Sequence, residues 1–159
     1  MTKAINLLRE FVRESNKIEG ITRPPTAAEM KAHADFLVLE AVTVDDMARF
    51  VMAVARRSIR DQPGMDVRVG NHLPPRGGPE IAGRLAFMLE TIAANYGRGM
   101  SPYEAHHAYE TLHPFMDGNG RSGRVLWLWM MKQRGAYDYA LRLGFLHAWY
   151  YQSLEAGDR

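Results

Sequence analysis

Arg121-Ser-Gly-Arg-Val-Leu-Trp-Leu-Trp-Met-Met131 decides the fold, because from Val125 onward its residues are apolar on every side. A helix with one solvated face alternates apolar and polar residues at about 3.6-residue spacing, whereas one that is apolar all round belongs at the centre of a bundle. The sequence therefore predicts an all-α helical bundle around a buried central helix that starts near Arg121. Trp127, Trp129 and the neighbouring methionines are read as core.

Working outward toward the N-terminus, periodicity is lost from His113 to Gly120. Ser101-Pro-Tyr-Glu104 opens the helix before that gap, since a capping serine, a proline at the first helical position and an acid three residues on all agree. His106 and His107 lie on this helix about 100° apart, which makes them packing or surface residues and no two-ligand metal face. Another helix is predicted over about Pro79 to Asn95. Thr26-Ala-Ala-Glu29 and Thr43 through Asp46 are capping boxes for helices running to about Glu40 and Ile59. In the leading helix, residues 3 to 18, Ile5, Leu8, Phe11, Val12 and Ser15 recur at helical spacing and Gly20 stands ready to stop it. Toward the C-terminus a last helix is predicted from about Asp138 to Leu154.

The segment Asp66-Val-Arg-Val-Gly-Asn-His-Leu73 alternates about Gly70-Asn71, the chemistry of a tight turn, and Pro74-Pro75 forbids further pairing. It is expected to form one small exposed β-hairpin over 66–73. His33 and His147 are single histidines with no partner at ligand spacing.

With 159 residues and 47% hydrophobic content, a single domain over 1–159 suffices. No run of about 18 apolar residues suggests a membrane span, and the N-terminus alternates charged and apolar residues where a signal peptide would be apolar. Absence of cysteine removes disulfides, thiolate metal sites and cysteine nucleophiles, in keeping with the cytoplasm. A formal charge of +2, with cations scattered among acids, argues against a nucleic-acid partner.

The chemistry lies in His113-Pro-Phe-Met-Asp-Gly-Asn-Gly-Arg-Ser-Gly-Arg124. Gly118 and Gly120 let the backbone turn tightly and expose N–H groups at the positive end of a helix, which makes a phosphate cradle. Arg121 and Arg124, at i and i+3, leave one face of that helix and can reach successive phosphates. Two arginines at a helix N-terminus oppose its dipole, so an anion is expected beside them. Asp117 offers a hard oxygen suited to Mg²⁺, which takes its other ligands from water and phosphate. His113, at the mouth, can accept a proton from a hydroxyl near neutral pH.

Residues 113 to 124 match every fixed position of the Fic signature, H-P-F-x-D/E-G-N-G-R-x-x-R, and the chain thus resembles the Fic family of helical nucleotidyl transferases. What the resemblance implies is transfer of AMP from ATP to a Ser, Thr or Tyr hydroxyl of a target protein, with Mg²⁺ as cofactor. His113 would be the base, Asp117 the metal ligand, Asn119 the α-phosphate contact, Arg121 and Arg124 the β- and γ-phosphate clamps, and Phe115 a buried anchor. The loop lacks the lysine of the branch that transfers a terminal phosphate. The 66–73 hairpin resembles the family's flap, in which Val67, Arg68, Val69, Gly70, Asn71 and His72 would dock the target. Ser15-Asn-Lys-Ile-Glu-Gly20 is similar to the family's inhibitory pattern, S/T-x-x-x-E-G/N, so that 1–22 would be an inhibitory helix. Ser15, Glu19 and Gly20 are its fixed residues, and Glu19 would pair with Arg124 where the γ-phosphate has to sit. Tyr150 and Tyr151 are read first as packing residues, although relatives often have aromatics there that approach the nucleotide base. Two other readings stay open, removal of AMP with Glu19 positioning water and a nucleotide-binding module without catalysis. Pairing with a second copy is also open.

Overall fold

The computed structural model describes residues 3–143, and all the regular structure among them is helical. Seven helices follow in order: α1 (Lys3–Ile18), α2 (Ala27–Leu37), α3 (Val44–Ala55), α4 (Glu80–Gly97), α5 (Pro102–Leu112), α6 (Asn119–Gln133) and α7 (Tyr137–Arg142). The three capping boxes expected from sequence all form, at Thr26 with Glu29, Thr43 with Asp46 and Ser101 with Glu104. None of the described helices is long and apolar enough to cross a membrane.

Helix α6 lies at the centre and packs against α5, α7, α2, α3 and α1. Val125 through Leu128 are fully buried and Trp129 through Met131 nearly so. Burying each such side chain contributes about 1.5–3 kcal/mol, so this one helix organises most of the core. Its approach to α5 is close because position 123 is glycine: a Cβ there would come within 2.5 Å of Glu110 Oε1 and 3.1 Å of the Tyr109 ring. Beside it, the Tyr109 hydroxyl and Ser122 Oγ share a 2.6 Å hydrogen bond that satisfies both buried groups.

Where boundaries differ from expectation, tertiary contacts set them. Helix α2 stops at Leu37 rather than near Glu40, and donors from α6 take the carbonyls beyond: Lys132 Nζ to Leu37 O (3.0 Å) and Trp129 Nε1 to Leu39 O (2.9 Å). Helix α3 ends at Ala55, not Ile59, because Arg56 turns left-handed (φ 54°) and Ile59 then pairs antiparallel with Phe115. In α4 the helical geometry breaks at Ala94–Tyr96.

The hairpin expected over 66–73 is corrected to a single turn. Val69 and His72 exchange both backbone hydrogen bonds (3.0 and 2.9 Å) around Gly70 and Asn71, and no strand extends from them among the described residues. Gly70 takes a positive φ of 57° while Asn71 does not, the pattern of a II′ turn. The turn chemistry was legible, but alternation alone provides no second partner to propagate a ladder. The last helix begins at Tyr137, close to the expected Asp138, and the expected extension to Leu154, with His147, Tyr150 and Tyr151, lies outside the described residues.

His106 packs inside and His107 is exposed. His33 is buried edge-on against Phe50, 4.9 Å between ring centres, and its Nδ1 donates to Glu29 O at 2.7 Å. Burial pulls its pKa from 6.5 down to about 4, against the opposing pull of the Glu29 carbonyl. Since the folded value lies below the unfolded one, the protein is fully stabilised above pH 6.5 and loses stability as pH falls toward 4. The urea midpoint should therefore drop across that window, and His33→Gln, which has no proton to gain, should flatten the drop. An unchanged slope in the variant would contradict this account.

Candidate functional site

The site forms where α5 ends, the 113–118 loop turns and α6 begins. His113 caps α5 in the left-handed region (φ 50°, ψ 63°), a conformation unfavourable for a residue with a Cβ, and its N–H bonds Tyr109 O at 2.9 Å. Arg60 holds it there. This arginine is fully buried, and its Nε donates to His113 O (2.7 Å), Nη2 to Leu112 O (3.1 Å) and Nη1 to Met65 O (3.0 Å). The orphan carbonyls at the end of α5 are thus satisfied by a cation, which the helix dipole favours. Burial draws the His113 imidazole down to about 4, against the opposing pull of the Glu110 backbone; the Arg60 and His72 charges add to the shift, and Glu19 opposes it. Its Nδ1 stands 3.9 Å from Glu110 Oε2. At neutral pH the ring is uncharged and able to take a proton.

Asn119 closes the loop. Its Oδ1 accepts from Phe115 N (2.9 Å) and its Nδ2 donates to Phe115 O (2.8 Å), while Phe115 is fully buried as the expected anchor. The Asn119 side chain is therefore a staple of the loop. Gly118 precedes the helix with φ 83°, and a Cβ there would also strike Ala55 at 2.9 Å, so glycine is required twice over. No side chain caps α6, which leaves its first-turn N–H groups available to an anion.

That anion comes from the chain itself. Glu19, just past the end of α1, reaches Arg124 Nη2 with Oε1 at 2.7 Å, and the same oxygen lies 2.2 Å from where a Cβ on Gly120 would stand. Arg124 is 3% exposed and is gripped further by Ser15, whose Oγ accepts from Nε (2.8 Å) and whose carbonyl accepts from Nη2 (2.9 Å). Gly20 follows in the left-handed region, φ 79°, and ends the segment. The sequence-predicted residues Ser15, Glu19, Gly120 and Arg124 are thus brought together.

Arg121 faces elsewhere. Its Nη1 donates to Val54 O (2.9 Å) and lies 3.7 Å from Glu29 Oε2, while its Nε has no protein partner. Burial lowers its pKa, and Glu19 is the largest charge opposing that shift, so the carboxylate acts on both arginines. Glu29 is held at about 2 because hydrogen bonds from Arg23 and Thr26 outweigh its burial. From sequence Glu29 is visible only as a capping residue. Arg60 is missed there entirely, and so is Asn16, whose buried side-chain amide has no partner.

Asp117 is exposed and accepts from Gly118 N through Oδ1 (2.7 Å), which orients the carboxylate and leaves Oδ2 available. No cluster of three or more His, Asp or Glu suited to a metal occurs among the described residues. A lone carboxylate beside an anion cradle suits Mg²⁺, which draws its other ligands from phosphate and water. Among the expected docking residues, His72 does more than touch solvent: its Nε2 donates to Thr111 O (2.9 Å), pinning the turn to the last turn of α5. Arg68 bonds back to Gly70 O (3.0 Å), and Val67 and Val69 are half-buried.

Gly120→Ala tests whether one place could serve both the Glu19 carboxylate and a nucleotide phosphate. The added methyl would displace the Glu19 carboxylate and also fill the place an anion needs. Both the Glu19–Arg124 pair and binding of ATP, measured by calorimetry, should be lost together; tight ATP binding by the variant would show that the cradle lies elsewhere.

Residues 100–131, from the cap of α5 through most of α6, match the Fic/DOC family. A stretch of 73 residues is 32% identical to the protein adenylyltransferase Fic of Drosophila willistoni, covering 43% of this chain and 14% of that relative. The chain thus spans about a seventh of the relative's length.

Proposed function

We propose that this chain transfers the adenylate of ATP to a protein hydroxyl and that Glu19 holds the reaction in check. The single observation that carries the reading is the Glu19 carboxylate seated on Arg124 over Gly120, an anion in a phosphate-type cradle, within electrostatic range of a neutral His113. The likeness to a protein adenylyltransferase over 73 residues supports the same chemistry.

On this reading the triphosphate lies along the start of α6. The first-turn N–H groups and Arg124 hold its negative charge once Glu19 has withdrawn. His113 accepts the proton of the attacking hydroxyl, whose oxygen forms a bond to the α-phosphorus as the bond to the departing pyrophosphate breaks. Asp117 would hold Mg²⁺, which would neutralise charge gathering on the leaving group. The turn at Val69–His72, anchored to α5 beside His113, provides backbone for an extended target segment.

Incubation with ATP labelled on the adenine or on the γ-phosphate distinguishes the alternatives. Adenine label should appear on protein and γ-label should not. Transfer of γ-label would replace the proposal by a kinase, and binding without either label would leave a nucleotide-binding module.

A further inference from the structure

We propose that Arg60 is a positioning residue of this site: it ties the His113 carbonyl and the foot of the 66–73 loop to one point, and so sets where the imidazole stands relative to a hydroxyl docked on that loop. The proposal rests on the adenylate-transfer reading for its chemistry, and on the hydrogen bonds of Arg60 for its geometry.

Those bonds reach two separate segments. Leu112 O and His113 O belong to the end of α5, whereas Met65 O belongs to the approach to the loop. The Arg60 backbone joins in, its N–H donating to Pro114 O (2.9 Å) and its carbonyl accepting from Gly78 N (2.9 Å). A helix cap alone would need only the α5 carbonyls, so the bond to Met65 calls for another explanation. Asp66 Oδ1 accepts from Gly77 N (2.8 Å), closing the loop upon itself, and His72 meets Thr111 O at the other end. The loop is therefore fastened to the end of α5 at two places, through Arg60 at Leu112 and His113 and through His72 at Thr111. Burying a guanidinium is expensive unless its donors are satisfied. All three of its side-chain nitrogens find backbone oxygens here, and the planar fork makes the arrangement rigid where a lysine would give one mobile point.

Such a residue touches neither nucleotide nor acceptor and acts through His113. Displacing a reacting group by about 1 Å can lower a rate about a hundredfold without altering ligand binding. Arg60→Lys and Arg60→Gln, each made in the Glu19→Gly background, should slow self-labelling by about tenfold to a hundredfold. Affinity for Mg-ATP by calorimetry should stay within about threefold. A second readout needs no activity. In the otherwise wild-type chain, NMR of the imidazoles should show the His113 signals broadened in Arg60→Gln. Its titration midpoint should rise from about 4, because a cation has left a ring otherwise faced by His72, Glu19 and Glu110. The His33 signals should not move. Unaltered labelling rates would overturn the proposal, as would parallel loss of ATP affinity, labelling and the His33 environment, which marks general destabilisation. If Glu19→Gly never labels, the adenylate reading fails first, and an unperturbed His113 ring in Arg60→Gln would then independently reject the positioning role.

Discussion

Glu19→Gly should increase self-modification with labelled ATP on the order of tenfold to a hundredfold. Deleting one partner of a buried ion pair costs about 3–5 kcal/mol, and every 1.4 kcal/mol or so is tenfold in an equilibrium. The Glu19 side chain is 34% exposed against 4% for Arg124, so solvent screens part of the attraction and the effect belongs below the full buried value. The substitution is conformationally mild. Glu19 lies beyond the last residue of α1, its N–H already bonds Asn16 O in the closing turn, and Ser15 continues to hold Arg124 from the helix body. Activation would therefore come from freeing the guanidinium without melting α1. Glu19→Gln, which keeps the shape and loses the charge, should fall between. If both variants label no faster than wild type while ATP binding is intact, Glu19 is a structural partner of Arg124 and nothing more.

The central helix and the site around its start were legible for one reason: their information is local. Seven apolar residues in succession after Arg124 leave no choice but burial, and the glycines at 118 and 120 sit where close approach demands them. The conflict between two arginines and a helix dipole predicted an anion, and the structure provides Glu19 for Arg124 and Glu29 near Arg121. Arg60 was invisible because nothing in the local sequence distinguishes it from its neighbours Arg56 and Arg57. What holds Arg60 is a pair of carbonyls about fifty residues away at the end of α5, a contact no local pattern reveals. The hairpin failed in the opposite direction. Its turn residues were right, yet strands need partners: the His72 side chain is engaged with α5, and Arg68 bonds back to Gly70 O within the loop.

Local and distant information meet at Gly118. Its positive φ was readable from residue type, whereas its contact with Ala55 and Val51 of α3 was not. The same contact brings the end of α3 against the start of α6, where Val54 O takes Arg121. The Arg121 guanidinium is thereby held on the scaffold, while Arg124 carries the Glu19 carboxylate.

The second large effect is expected at His113. A general base contributes about 10² to 10⁴ in rate, so its removal should bring labelling close to background even in the Glu19→Gly chain. His113→Asn is the informative variant, because asparagine tolerates the left-handed backbone required at φ 50° and still cannot accept a proton at neutral pH. A loss of activity in it then reports chemistry and not a displaced loop. ATP affinity should be unchanged, since the cradle is built from α6 and Arg124. The proton-acceptor role also fixes the sign of the pH dependence. With the free-protein imidazole near 4, kcat/KM should be level through neutral pH and fall only in acid, as the ring becomes protonated. His113→Asn labelling at a rate comparable with its parent would require another base, and the 3.9 Å approach of Glu110 makes that carboxylate the next group to replace.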